Sequence, residues 1–293
     1  MKNIADILAE RIKAKNNPTV AGLDPRLEYL PDELQKSATS DESAAKALVE
    51  FNCSIIDSIK DVVPAVKIQS AFYEAFGHCG VKAMEQTAKY AHDNGLIVMA
   101  DVKRNDIGTT AEAYAKAFLF GELFDYITVN PYPGIDGIKP FTDACKANGK
   151  GIFVLARMSN PSAADIQNMK LENGEPLYMH IGGLIADWGK ELIGASGYSA
   201  VGAVVGATNP DEARLLRSKL NTVFFLVPGY GAQGGNGKDA AASFDKKGGG
   251  AIVNNSRGII AAYKTDKYKG MSYFDAARAS ALDMANDLRN ALA

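Results

Sequence analysis

Cysteine is scarce in this chain: Cys53, Cys79 and Cys145 are an odd number and widely spaced. That pattern excludes a disulfide framework and offers no zinc or redox motif. His78 stands beside Cys79, but successive helical residues point in different directions, so the pair reads as structural and no metal is expected. An excess of one charge is also lacking. The formal net charge is -2, without the basic surface that nucleic-acid affinity rests on, so no nucleic-acid partner is expected. Long hydrophobic runs are missing too: the most apolar stretch, Tyr198 to Thr208, is about half the length of a bilayer span. The N-terminal segment has no apolar core or cleavage site of a signal peptide. Its Ile4, Ile7, Leu8 and Ile12 share one helical face, which suits a packing helix. The expectation is a cytoplasmic protein with no membrane partner, in which the glycosylation patterns at Asn52 and Asn254 are coincidences.

What is present is a globular balance, 47% hydrophobic and 23% charged, which excludes a disordered or fibrous chain. A chain of 293 residues buries most of its unfolded surface without a disulfide or metal staple. Short β-branched runs alternate throughout with longer segments of 3.6-residue periodicity. The runs are Thr19 to Asp24, Ala65 to Gln69, Ile97 to Lys103, Tyr126 to Asn130, Gly151 to Arg157, Ala200 to Gly206, Val223 to Val227 and Ala251 to Asn255. Regular βα alternation implies parallel strands, and eight units at this length close into a barrel. Residues 1–293 are therefore expected to form a single α/β domain, a (β/α)8 TIM barrel with an N-terminal helix and extended βα loops. A doubly wound open sheet is the competing architecture. The longer irregular pieces, Pro25 to Asp41, Ser159 to Glu175 and Tyr230 to Asp239, each follow a strand. That places them at the C-terminal face, where such barrels keep their active sites.

Barrel interiors are normally filled with branched aliphatics, so ionisable residues on the strands call for a reason. In Val98-Met99-Ala100-Asp101-Val102-Lys103, alternation predicts Asp101 and Lys103 on one face. Lys67 takes the opposite face from Val66 and Ile68 on the preceding strand and comes within reach of Asp101. Asp24 ends the first strand, and Asp106 begins the loop after the third. Lys67, Asp101, Lys103 and Asp106 form a cluster of alternating charge that sums to zero. It reads either as a structural ion network or as catalytic machinery. At roughly 6% usage per residue, D-x-K-x-x-D arises by chance in about one such chain in fifteen. Placement carries more weight than the motif, because charges in a low-dielectric site are costly and usually retained for a task.

Strand seven ends in Pro228-Gly229 and runs into Tyr230-Gly231-Ala232-Gln233-Gly234-Gly235-Asn236-Gly237. Glycines let a backbone approach a ligand and turn its N–H groups toward an anion. Strand eight ends Asn254-Asn255-Ser256-Arg257-Gly258, followed by a helical segment. An Arg at a helix start suits a phosphate, and loops after strands seven and eight are where such barrels hold one. Gly229, Gly231 and Gly234 also satisfy the dinucleotide fingerprint, but the next strand carries no acidic residue, so NAD is rejected.

Together these residues resemble the orotidine 5′-monophosphate decarboxylase family, from about Val20 to Ile260 and with the motifs in order. Asp101-Val102-Lys103-Arg104-Asn105-Asp106-Ile107 resembles the family's D-x-K-x-x-D-I signature, with Thr110 at the family's spacing. Val66-Lys67-Ile68 and Leu23-Asp24 resemble its strand-two lysine and strand-one aspartate. Pro228-Gly229, Ala232-Gln233-Gly234-Gly235 and Ser256-Arg257-Gly258 resemble its phosphate segments, and Met158-Ser159-Asn160-Pro161 its pyrimidine-contacting segment. The length and the Pro25 to Pro31 segment look like the longer bacterial branch. The chain departs from many members at Gly108, where they have Pro, and at Arg104-Asn105, where they have Phe-His; neither change removes a charged group.

The resemblance implies decarboxylation of orotidine 5′-monophosphate to uridine 5′-monophosphate in pyrimidine biosynthesis, with no cofactor and no metal. Lys103 would stabilise and protonate a C6 carbanion, and Asp101 would lie near the departing carboxylate. Asp24 and Lys67 would bind the ribose and Ser159 the pyrimidine. Pro228, Gln233, Gly234, Ser256 and Arg257 would hold the phosphate, with the loop from Gly229 to Gly237 closing as a lid. Asp106 and Thr110 would act across a homodimer interface. The alternatives are a magnesium-dependent hexulose-phosphate synthase or keto-sugar-phosphate decarboxylase, a non-catalytic phosphate-binding barrel, and a Schiff-base aldolase. The last is disfavoured because flanking carboxylates would keep Lys67 and Lys103 protonated.

Overall fold

The eight β-branched runs all form strands. The computed structural model describes residues 2–231 and 234–293. Within it lie β1 (Thr19–Leu23), β2 (Ala65–Gln69), β3 (Ile97–Arg104), β4 (Tyr126–Val129), β5 (Gly151–Arg157), β6 (Ser199–Val205), β7 (Val223–Val227) and β8 (Ala251–Asn255). Each end falls within one residue of the run read from the sequence. All neighbours are parallel and follow chain order, and β1 pairs with β8, so the sheet is a closed barrel and the open-sheet alternative fails.

Two apolar cores follow from the two faces of the strands. Outward residues such as Ala21, Val66, Val98 and Ile127 pack against the surrounding helices. The helix Asp41–Ile59 shows why: Leu48, Phe51, Ile55 and Ile59 recur at helical spacing and are buried, and a Ser40–Ser43 capping box fixes its start. Inward residues, among them Val20, Ala65, Ile97, Tyr126, Phe153, Phe224 and Ile252, fill the lumen. The N-terminal helix Ile4–Lys15 presents Ile4 and Leu8 to this second core and seals the N-terminal end of the barrel. Asn3 caps that helix, and Asp6 accepts bonds from the Ala195 and Ser196 N–H groups, which ties it to the chain before β6.

The long loops lie at the opposite end. The segment after β5 folds into a short turn and the helix Ala164–Gln167, whose Gln167 Oε1 accepts from Met158 N at 2.9 Å and Arg157 Nη1 at 3.2 Å. His78 and Cys79 do touch, with Nε2 and Sγ 3.4 Å apart, against the expectation that they diverge; among the described residues no metal-ligating cluster forms. Asn52 is fully buried against the Tyr73 hydroxyl and Asn254 is buried at the end of β8, so neither glycosylation pattern is accessible. Among the described residues, no helix is long and apolar enough to cross a membrane.

Candidate active site

Toward the C-terminal ends of the strands the lumen stops being filled. Above Leu155, Val204 and Leu226 opens a cavity of about 570 Å³. Asp24, just beyond β1, and Lys67, Gln69, Asp101 and Lys103 on β2 and β3 line it; the segments that follow β5, β7 and β8 contribute Ser159, Pro228, Gly229, Ser256 and Arg257. These are inward positions at the rim, where the barrel widens and a polar side chain can face a ligand.

Asp101 is the hub of the charged side. Its Oδ2 accepts from Lys67 Nζ at 3.0 Å and Gln69 Nε2 at 2.9 Å. Its Oδ1 accepts from Lys103 Nζ at 2.6 Å and Thr128 Oγ1 at 2.8 Å. Burial pushes the Asp101 carboxyl up, but the two ammonium groups outweigh it and hold the group well below the usual carboxylate range. Burial likewise pushes Lys67 down, and here too the neighbouring charges prevail: Asp101 and Asp24 keep its pKa above the ordinary lysine value. Asp24 Oδ1 lies 3.6 Å from Lys67 Nζ, an ion pair too long for a hydrogen bond, and that oxygen has no hydrogen-bond partner among the described residues. A buried carboxylate oxygen left in this state is suited to accept from a ligand hydroxyl.

The backbone reaches this arrangement by a route that simple alternation does not describe. Gln69, not Lys67, stands opposite Asp101 in the register, while Lys67 pairs with Met99 and spans the difference with its long side chain. The pairing of β3 with β4 shifts register between Ala100 and Arg104, and Lys103 adopts φ +42°. A left-handed backbone is uncommon for a residue other than glycine and clusters at functional sites.

On the other side, close approach depends on two glycines. A Cβ on Gly22 would lie 1.8 Å from Ser256 Oγ, and one on Gly206 would lie 2.8 Å from Ser159 Cα. Only glycine at those positions lets Ser256 and Ser159 close over the rim. Arg257 opens a helical turn of four residues, Arg257–Ile260. In so short a helix its guanidinium and local N–H groups, more than a helix dipole, would meet an anion.

A family model for orotidine 5′-phosphate decarboxylase / HUMPS matches residues 20–269. The chain belongs to that family. An orotidine 5′-phosphate decarboxylase of Clostridium perfringens is 43% identical over 290 residues, covering 99% of both chains. One from Petrotoga mobilis is 41% identical and covers 98% of both. The solved structure of Leishmania donovani OMP decarboxylase superposes with a TM-score of 0.75 at 28% identity, covering 98% of each chain.

Of the family residues carried over from the sequence, the structure brings Asp24, Lys67, Asp101, Lys103, Ser159, Pro228, Ser256 and Arg257 to one cavity. Asp106, Thr110 and Gly234 do not line it. Asp106 lies in the loop after β3, its Oδ1 accepting from Ile107 N at 2.8 Å, and Thr110 is exposed on the helix Gly108–Leu119. Gln233 lies outside the described residues. Sequence reasoning missed Gln69 and Thr128, and the wall formed by Arg26, whose guanidinium lies 5.5 Å from the Tyr29 ring and 5.1 Å from the Phe72 ring. The alternating face of Lys67 could have flagged Gln69, two residues on.

Proposed function

We propose that the protein decarboxylates orotidine 5′-phosphate to uridine 5′-phosphate, in pyrimidine nucleotide synthesis, without a cofactor. The observation that carries this reading is the Lys67–Asp101–Lys103 array facing the same cavity as Arg257. The bond between C6 and the carboxylate breaks with its electron pair left on C6, CO₂ departs, and the Lys103 ammonium donates a proton to C6. A preorganised cation beside a developing carbanion stabilises the transition state more than the ground state, which is what accelerates a reaction. Asp101, held by four donors, keeps both ammonium groups in place. Asp24 and Lys67 receive the ribose hydroxyls, and Ser159 meets the pyrimidine.

One charge pair at about 4 Å and an effective dielectric near 20 is worth about 4 kcal/mol. Enzymes lower barriers by roughly 8 to 23 kcal/mol, so Lys103 alone falls short. The remainder is assigned to binding energy from the remote phosphate, gripped by Arg257, Ser256, the Pro228–Gly229 segment and the glycine segment that follows.

The same reading makes the protein a homodimer. Asp106 and Thr110 lie away from their own cavity but beside exposed apolar side chains: Ile107, Phe120, Tyr132 and Ile135. A Cβ on Gly137 would lie 3.0 Å from the Asp106 carbonyl, so the Asp106 loop is packed on the helix Ile135–Asn148 of this surface. A second copy covering that patch would carry Asp106 and Thr110 to the neighbouring site.

The test is to add orotidine 5′-phosphate to EDTA-treated protein and follow the loss of orotate absorbance. Turnover at the untreated rate is the expected outcome. Folded protein without turnover would overturn the reading, and activity lost to EDTA but restored by magnesium would favour the hexulose-phosphate synthase alternative.

A further inference from the structure

We infer that Thr128 is a positioning residue for the reacting pair, fixing the backbone of Lys103 and the carboxylate of Asp101 through one hydroxyl; this deepens, and rests on, the decarboxylase reading. In a regular strand the Lys103 N–H would bond to a carbonyl across the sheet. The register shift beside β4 and the left-handed φ of Lys103 remove that option. The N–H donates instead to Thr128 Oγ1 at 2.9 Å. The same hydroxyl donates its one proton to Asp101 Oδ1 at 2.8 Å, and that oxygen accepts from Lys103 Nζ at 2.6 Å. A closed circuit results: backbone of Lys103, hydroxyl of Thr128, carboxylate of Asp101, ammonium of Lys103.

Only a hydroxyl both accepts and donates in so small a volume. Thr128 is buried at 3% exposure on the inward face of β4, and its branched Cβ restricts the rotamers open to it. Without the hydroxyl, the Lys103 N–H loses its acceptor, the strained backbone loses the bond that offsets its cost, and Asp101 loses one of four donors. The Lys103 ammonium then drifts from the point where charge develops. Contacts on the far rim, made by Pro228, Ser256 and Arg257, come from other strands and do not depend on this circuit.

The experiment compares wild type with Thr128→Val, which keeps the shape and deletes both hydrogen bonds, and Thr128→Ser, which keeps them. For Thr128→Val, kcat should fall roughly 10- to 100-fold, the fold-change for losing a hydrogen bond to a charged group. KM and the Kd for uridine 5′-phosphate, measured by calorimetry, should not change, and Thr128→Ser should recover most of the rate. A residue that merely supports the fold would not separate kcat from KM or be rescued in this way. If circular dichroism shows Thr128→Val unfolded, Thr128→Ala is read by the same measurements. Wild type that turns over alongside an equally active Thr128→Val, a loss confined to KM, or a serine variant as slow as valine each refutes the inference alone. Wild type without turnover instead brings down the reading of the site on which it rests.

Discussion

Lys103→Ala separates what this lysine does for catalysis from what it does for the fold. Its side chain is 38% exposed and its main partner, Asp101, keeps Lys67, Gln69 and Thr128 when the ammonium is removed. The stability cost of deleting the ion pair should therefore stay within about 1 kcal/mol. The catalytic cost should be far larger. Loss of about 4 kcal/mol of charge stabilisation is about a thousandfold in rate. Loss of the positioned proton donor adds roughly 10²- to 10⁴-fold. Together they predict a fall in kcat of at least about 10⁵-fold, followed as loss of orotate absorbance, with uridine 5′-phosphate still bound. A companion variant, Lys103→Gly, tests the backbone. Relief of a left-handed conformation gains about 1–2 kcal/mol, and the extra chain entropy of glycine takes back roughly 0.5–1. The glycine variant should thus be more stable than the alanine variant by about 0.5–1 kcal/mol in urea melts, and equally inactive. A Lys103→Ala enzyme keeping more than about one hundredth of wild-type kcat would refute the assignment of Lys103 as the proton donor.

Asp101→Asn should destabilise the protein by about 3–5 kcal/mol at pH 7, because it leaves Lys67 buried with only Asp24, 3.6 Å away. The carboxyl of Asp101 is depressed in the native state, so its stabilisation is complete above the ordinary carboxylate pKa of about 4 and is lost as pH falls through the lower native value. Urea melts should show a constant gap between wild type and variant from pH 7 to about 5 and a narrowing gap near pH 3; a gap unchanged at pH 3 would contradict the ion-pair account. If Asp106 serves the neighbouring site, mixing inactive Asp106→Ala and Lys103→Ala proteins under subunit exchange should restore about a quarter of wild-type activity, since half the dimers are mixed and one site in each is intact. No restoration in proteins shown by sedimentation to exchange would remove Asp106 from the shared site.

The barrel was legible because the β-branched runs and the intervening helical periodicity agree, and the closed β1–β8 pairing follows from eight such units. Lys67, Asp101 and Lys103 stood out because charge on an inward strand position is costly unless used. Gln69 and Thr128 did not, since neutral polar residues on strands are common and their importance lies in bonds made across the register. The left-handed turn at Lys103 left no trace either, because neither glycine nor asparagine marks it. Gly22 and Gly206 were passed over as ordinary strand residues; what they make room for, Ser256 and Ser159, comes from distant parts of the chain. The helical stretch at Ile259, Ile260, Ala261 and Ala262 starts earlier than the apolar pattern suggests, at Arg257, and passes after Ile260 into a 3-10 segment.

Because Ile4 and Leu8 cork the lumen from below, the cavity among the described residues opens at the C-terminal rim of the barrel. On the proposed reaction, CO₂ would form over a floor of Leu155, Val204 and Leu226 with the nucleotide still in the exit. The gas would then have to slip past its own co-product or wait behind it. On that reading, a firmer hold on the phosphate would speed bond breaking and delay departure, tying the pace of the whole cycle to the handle farthest from the reacting carbon.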